Sequence, residues 1–327
     1  MKKTLSLIFS VLLLISFAAC SSIPSGQLST GNQQTVGSSS AIKVNPSRCL
    51  AVSFTDALGH DFTIQQPQNV AALMGSFAEL WLLAGGELAA VTQDAYDERG
   101  LALDSKTVNL GAMKSPSVEK LIEAKVDFAI LSSNIAEHVK LYDSLTNAGI
   151  KAAYFDVETF EDYLSVLKIF TDITGKQELY KTNGTDIKAK IDAAIAKKNG
   201  KTPPTVLFIR AYSTGAKAKG SDSMTGKMLK DLGCINIADK QTSLLENLSI
   251  EQIIKEDPDY IFVTTMGESD EKALESMKKV VEANPAWKEL SAVKNGRYIV
   301  LPKNLYHLKP NAKWGESYEK LAEIIYG

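Results

Sequence analysis

Two stretches, SVEKLIEAKVDFAILSSN at residues 117–134 and SIEQIIKEDPDYIFVTTM at residues 249–266, align without a gap. Ser117 matches Ser249, Glu119 matches Glu251, Ile122 matches Ile254 and Asp127 matches Asp259, at a constant offset of 132 residues. Each copy opens on helix-start signals. In the second, Ser249 with Gln252 fits a capping box; in the first, Ser115 is placed to cap a helix beginning on Pro116. Apolar residues at 118, 121 and 122, and again at 250, 253 and 254, predict one buried helix face. An acidic turn follows, then FAIL or YIFV, an apolar run of the kind that forms a parallel strand covered on both faces. One such unit per half predicts an α/β chain of two Rossmann-like lobes, each a mostly parallel sheet flanked by helices.

Working outward, the first lobe is predicted to hold strands near 70–73, 88–91, 128–131 and 152–155, with helices near 77–84, 118–124, 136–147 and 160–173. The second is predicted to hold strands near 205–209, 260–263 and 298–301, with helices near 225–232, 250–256, 268–283 and 313–326. Between them, QELYKTNGTDIKAKIDAAIAKKNG (177–200) repeats Ile187, Ile191 and Ile195 on one face, and stops at Gly200 before Pro203 and Pro204. That pattern predicts a single amphipathic helix joining the lobes. The expected division is a first lobe at 48–176, a connecting helix at 177–200 and a second lobe at 201–327. A helix is a stiff connector, so small hinge motion is expected.

At the start of the chain, Lys2 and Lys3 precede an apolar run from Leu5 to Ala19. A basic opening and a short apolar core predict a secretory signal at 1–19, marginal in length for a membrane span. FAAC at 17–20 resembles a bacterial lipobox, with Phe17 where leucine is usual. The resemblance implies that Cys20 is diacylated and becomes the mature N-terminus, anchored to the cell membrane without spanning it. Residues 20–47, rich in Ser, Gly, Gln and Thr, then read as a flexible leash.

Removing Lys2 and Lys3 leaves 34 basic against 38 acidic residues, a formal charge of −4, with no dense basic run to track phosphates. Nucleic-acid binding is therefore not expected. Of the cysteines other than Cys20, Cys49 and Cys234 fall in different predicted lobes. A bridge between them would lock relative motion, and the reading favours two free thiols.

Signal, lipobox, leash, two lobes, the single connecting helix and FTDALGHDFTIQQPQNVAALMGSFAELWLLAGG at 54–86 together resemble the substrate-binding lipoproteins of ATP-binding cassette importers for metal chelates. This resemblance implies an extracytoplasmic monomer that is no enzyme and has no intrinsic cofactor. It would capture a ferric siderophore, haem or a corrinoid between its lobes and pass it to a permease and its ATPase. SFAELWLLAGG (76–86) is similar to the family stretch whose glutamate salt-bridges a permease arginine, which puts Glu79 in that role. In the second lobe the matching place in TGKMLKDLGCINIAD (225–239) holds Lys227, so either Asp231 one turn on substitutes or docking uses another charge arrangement. GAMKSPSVEKL (111–121) resembles the loop in which haem-binding members place an axial methionine, with Met113 one residue early. The resemblance then offers Met113, with His307 or Met266, as haem ligands.

Ligands of open α/β sheets bind outside the carboxyl ends of the strands. In the first lobe that rule selects Met74, Ser76, Asp94 and Tyr96, then Met113, Lys114, Ser132 and Asn134. In the second it selects Arg210, Tyr212 and Met266, and Tyr306 with His307 in NLYHLKP; KAKGSDSM adds Lys217, Lys219 and Met224 as loop neighbours. Arg210 and Lys219 would meet an anionic chelate, and Tyr212 and Tyr306 would offer aromatic faces.

Other classes fit less well. GSDSMTGKM resembles a phosphate loop, but Gly220 and Gly226 are separated by five residues and Met228 replaces the hydroxyl that would hold magnesium. His60, His138 and His307 form no zinc-protease helix, and no nucleophile elbow is present. His60 in LGHDF is expected in a hairpin turn and His138 on a solvated helix surface. A binder of bare zinc or manganese would want three or four clustered ligands. A chelate-processing enzyme of nitrogenase-like layout would lack cytoplasmic electrons and ATP outside the cell.

Overall fold

The computed structural model describes residues 51–327, other than Thr242, Asn247 and Glu268. Cys20, Cys49, the signal and the leash lie outside the described residues. Strands β1 (Val52–Thr55) and β2 (Asp61–Ile64) form an antiparallel hairpin whose turn contains His60. Five strands follow: β3 (Val70–Ala72), β4 (Ala90–Val91), β5 (Val108–Asn109), β6 (Phe128–Ser132) and β7 (Lys151–Phe155). They form a parallel sheet in the order β5-β4-β3-β6-β7. The second sheet holds β8 (Thr205–Tyr212), β9 (Gly215–Ala218), β10 (Ile235–Asn236), β11 (Tyr260–Thr265) and β12 (Tyr298–Val300). Its order is β10-β8-β11-β12, all parallel, with β9 folded back antiparallel onto β8. The chain therefore has two lobes of parallel sheet flanked by helices.

The aligned repeat is the same unit in both lobes. The helices Val118–Glu123 and Ile250–Glu256 are capped by Ser117 and Ser249, whose hydroxyls accept from the N–H groups of Lys120 and Gln252. Ser117, not Ser115, is thus the first cap: it lies in extended conformation immediately before the helix, as Ser249 does. The shared aspartates have the same task. Asp127 accepts from the N–H groups of Gln68 and Asn69 at 2.8 and 3.1 Å, and Asp259 from Thr205 N–H at 2.8 Å, each fastening the entry of the central strand beside it. The predicted helix face is narrower than expected. Leu121 and Ile253 are fully buried, but Ile122 is 53% exposed, because a six-residue helix presents little more than one turn to the sheet.

Strand residues alternate between layers, as a period of two requires. Ala71, Leu73, Ala129 and Leu131 face an outer core of the first lobe; Leu207, Ile209, Ile261 and Val263 face one in the second. The opposite faces, with Val70, Phe128, Val206, Phe208 and Phe262, share one continuous core that also takes in Ile187 and Ile191 of the connector. The connector is helical from Gln177 to Ala196, with a π-helical turn at Lys181–Thr185. That turn frees the Asn183 carbonyl for the Tyr163 hydroxyl at 2.7 Å, while Asn183 Nδ2 donates to Leu83 O. The C-terminal helix Trp314–Tyr326 lies along the connector, and Gly315 permits the approach: a Cβ there would sit 3.2 Å from Lys190 Cβ.

Three further points differ from the sequence reading. β5 and β10 are two-residue edge strands, too short to leave a pattern, and Lys217 lies on β9 and not in a loop. The helix expected at 136–147 is two, Ala136–Val139 and Tyr142–Asn147, because the Tyr154 hydroxyl and Leu141 N–H share the His138 carbonyl. Gly226 packs on the Gly220 carbonyl, where a Cβ would collide with the backbone oxygen, so this glycine serves a backbone contact; a Cβ on Gly220 would instead meet the Asp222 and Asp239 side chains. Cys234 is buried and has no disulfide partner among the described residues.

Candidate functional site

A cavity of about 900 Å³ opens where strand ends of the two sheets meet. Gln93, Asp94, Asp97 and Glu98 after β4, and Gly111–Lys114 after β5, form one wall; Lys303, Asn304 and Leu308 after β12 form the other. Every lining segment leaves the carboxyl end of a strand, as the sheet topology requires. The short helix Asp94–Asp97 sets its acids at i, i+3 and i+4, on one face. Asp94 Oδ2 accepts from Gly75 N–H at 2.7 Å, at the start of the helix Gly75–Leu83, and its Oδ1 is buried without a hydrogen-bond partner. Gly75 is required there, since a Cβ would lie 2.8 Å from Ala95 N. Gln93, Asn109 and Gly111 form a polar chain: Asn109 Nδ2 donates to Gln93 Oε1, Gly111 N–H to Asn109 Oδ1 at 2.9 Å, and Gln93 N–H to the Gly111 carbonyl at 2.8 Å.

On the second lobe, Lys303 Nζ donates to Gly267 O at 2.6 Å. Arg210 stands on the face of β8 that carries Phe208, beyond the core, and its Nε is buried without a partner. His307 Nδ1 is likewise buried and unpartnered. Burial pushes the His307 imidazole down to about 4, and the Arg210 and Lys303 cations act in the same direction against a weaker pull from Asp270. Arg210 and Lys303 are thus the cations on this side, with His307 held neutral beside them, and of the three Lys303 is the one that lines the cavity opposite the acids.

Of the expected contacts, Asp94, Met113 and Lys114 line the cavity. Tyr306 does not: it is 1% exposed, its hydroxyl donates to Ser317 O at 2.9 Å, and it belongs to the shared core. The helical turn Lys303–Tyr306 turns Lys303 to the cavity and Tyr306 inward. Met224 is a core residue at the start of the helix Met224–Asp231, and Ser76 is buried in the helix Gly75–Leu83. Met74 and Tyr96 are half-buried against the core. Lys219 extends the β8–β9 pairing by donating its N–H to Phe208 O, and Tyr212 pairs with Gly215 in the same hairpin. Asn134 is exposed and holds Asp156 at 2.6 Å; Met266 is 42% exposed beyond β11. Ser132 is buried, with its hydroxyl accepting from Asn134 N–H. His138, expected in solvent, is fully buried. Lys303 and Asn304 were legible as the first polar side chains after β12, following Leu301 and Pro302, and Asp97 and Glu98 by helical spacing from Asp94.

The two lobes are also latched directly behind the cavity wall, at residues next to Glu98 and Leu308. Glu79 Oε2 accepts from Arg99 at 3.0 Å and from Asn311 Nδ2 at 2.8 Å, and Arg99 also donates to Lys309 O at 2.6 Å. Arg99 is nearly buried, with 9% of its side chain exposed. Glu79 is therefore no free surface acid. Lys227 pairs with Asp231, whose other oxygen accepts from the Tyr318 hydroxyl at 2.8 Å, so both carboxylate oxygens of Asp231 are engaged within the second lobe. Glu79→Ala is expected to lower unfolding free energy by about 1–3 kcal/mol by stranding Arg99 and Asn311. Glu79→Gln, which keeps an acceptor, should lose less than half as much in a urea titration.

The chain belongs to the periplasmic binding protein family, whose model matches residues 70–305. Members of this family are solute-binding proteins of transport systems. YhfQ of Bacillus subtilis, assigned as an ABC transporter substrate-binding lipoprotein, is 26% identical over 94% of this chain and 93% of its own. The petrobactin-binding protein YclQ of Bacillus subtilis is 29% identical over 68% of each chain. Among solved structures, the siderophore-binding protein BauB, bound to acinetobactin and ferric iron, superposes with a TM-score of 0.67 at 18% identity, covering 85% of this chain and 99% of that one.

Proposed function

We propose that this chain captures a ferric chelate of siderophore type in the cavity between its lobes and delivers it, chemically unchanged, to an ABC permease driven by its ATPase. The observation that carries the reading is the pair of unpartnered buried atoms, Arg210 Nε and His307 Nδ1: neither side chain lines the cavity, but both lie within electrostatic reach of one another, and Lys303, whose charge also acts on His307, does line it. Buried donors without partners are costly to leave unmade, and an anionic oxygen would satisfy the guanidinium. Petrobactin for YclQ and the acinetobactin–iron complex for BauB support the same ligand class. Residues 48–176 and 201–327 act as the lobes and 177–200 as a stiff connector. Cys20 carries the lipid that holds the protein at the outer side of the cell membrane as a monomer, and YhfQ's description as a lipoprotein supports that anchor.

The docking surface includes Glu79, whose Oε2 is held inside while its side chain stays 23% exposed, and the Lys227–Asp231 pair in the second lobe. Native mass spectrometry of protein purified from iron-starved cells should show a bound iron chelate. Arg210→Ala should weaken its binding by about tenfold to a hundredfold, the loss of one charge-assisted hydrogen-bonding group. A bound haem, identified by its Soret absorption, or an unchanged affinity in Arg210→Ala, would overturn the anionic-chelate reading.

A further inference from the structure

The Gly111–Lys114 segment supplies four consecutive lining residues, yet its strand, β5, is only two residues long. Its anchors are few. Gly111 is tied to Asn109 and Gln93, and Ser115 N–H closes a turn on Ala112 O at 2.9 Å. At Met113, the hydrogen bond to the rest of the lobe comes from a buried side chain: His138 Nε2 meets the Met113 carbonyl at 2.8 Å. The other ring nitrogen, Nδ1, accepts from Ser132 N–H at 3.2 Å, at the end of β6.

Both partners are main-chain groups of fixed polarity. A carbonyl only accepts and an N–H only donates, so the ring must carry its proton on Nε2 and keep Nδ1 as an acceptor. The imidazole then bridges the end of a central strand to the cavity edge. Its own helix, Ala136–Val139, is a single turn with no stability of its own. It is held from β7, where the Tyr154 hydroxyl donates to the His138 carbonyl at 3.0 Å. Asp94, beside the cavity, and Glu137, on the same turn, are the charged groups that act on the ring.

We infer that His138 is a positioning residue for the ligand site: through Met113 it holds the Gly111–Lys114 edge in its ligand-ready position without touching the ligand. A loop that is ready only part of the time weakens apparent affinity in proportion to the ready fraction. The inference rests on the reading that this cavity holds the chelate, and the test separates the two.

In the apo protein, His138→Ala should speed amide exchange at Ser115 and Ser132 at least about tenfold, with the amides of β11 unchanged. His138→Gln offers an acceptor and a donor spaced much like the two ring nitrogens, and should restore most of the protection. Affinity for ferric citrate, used as the probe, should fall about tenfold to a hundredfold in His138→Ala and recover to within about threefold in His138→Gln. Nitrogen-15 shifts of the wild type should show Nε2 protonated and Nδ1 bare at neutral pH, a readout that needs no variant to fold. Any other tautomer, or unchanged exchange at both amides in His138→Ala, overturns the positioning role. A wild type that binds no ferric citrate counts against that chelate alone, since exchange and tautomer still decide the role of His138.

Discussion

Tyr306→Ala is expected to lower the unfolding free energy by about 3–5 kcal/mol, the range for removing a large aromatic side chain from a packed core. The ring is 1% exposed within the core shared by both lobes, which also holds Phe262, Leu305 and Trp314. Its hydroxyl serves the Ser317 carbonyl, and its own carbonyl accepts from the Thr225 hydroxyl, so the residue fastens the C-terminal helix and the helix Met224–Asp231 to one point. Truncation leaves a void and removes the side-chain tie to the Ser317 carbonyl together. Tyr306→Phe keeps the volume and should lose only about 1 kcal/mol. Urea titrations of both variants measure the split. If Tyr306→Ala were as stable as the wild type and bound its chelate poorly, the side chain would belong to the ligand face after all.

Lowering the pH from 7 to 4.5 should remove about 2–3 kcal/mol of stability through His307, at about 1.4 kcal/mol per pH unit over the window. The folded protein holds this imidazole down to about 4, by burial first and then by the Arg210 and Lys303 cations, against an ordinary value of 6.5. The unfolded chain takes up the proton first. Stability is therefore full above pH 6.5 and is lost as pH falls toward 4. His138 acts in the same sense, its burial outweighing the Met113 carbonyl and the Asp94 and Glu137 charges. Urea midpoints at pH 7, 5.5 and 4.5 report the loss, and His307→Gln should flatten the slope. A slope equal to wild type in that variant would place the acid sensitivity elsewhere.

These two expectations concern neighbours that the sequence presents alike. NLYHLKP follows a strand, and its aromatic and imidazole both read as facing the ligand. One turn of helix from Lys303 to Tyr306 decides otherwise, because rotation about the helix axis sends Tyr306 to the core. Glu79 shows the same limit. Its place on the helix was legible, but Arg99 and Asn311 reach it from 20 and 232 residues away.

What the sequence determined by itself is local and periodic: the repeated helix-to-strand unit with its cap at Ser249, the isoleucine stripe of the connector, and the two-lobe order that follows. Hydrophobic spacing and capping are set within a few residues, so they survive without the rest of the chain. Only the tertiary structure decided which strand ends confront one another, that Lys303 and Asn304 face Asp94 and Met113, and that His138 lies under the cavity edge. Those placements come from the packing of separate segments around a shared core, and partners brought together only by folding leave no pattern along the chain.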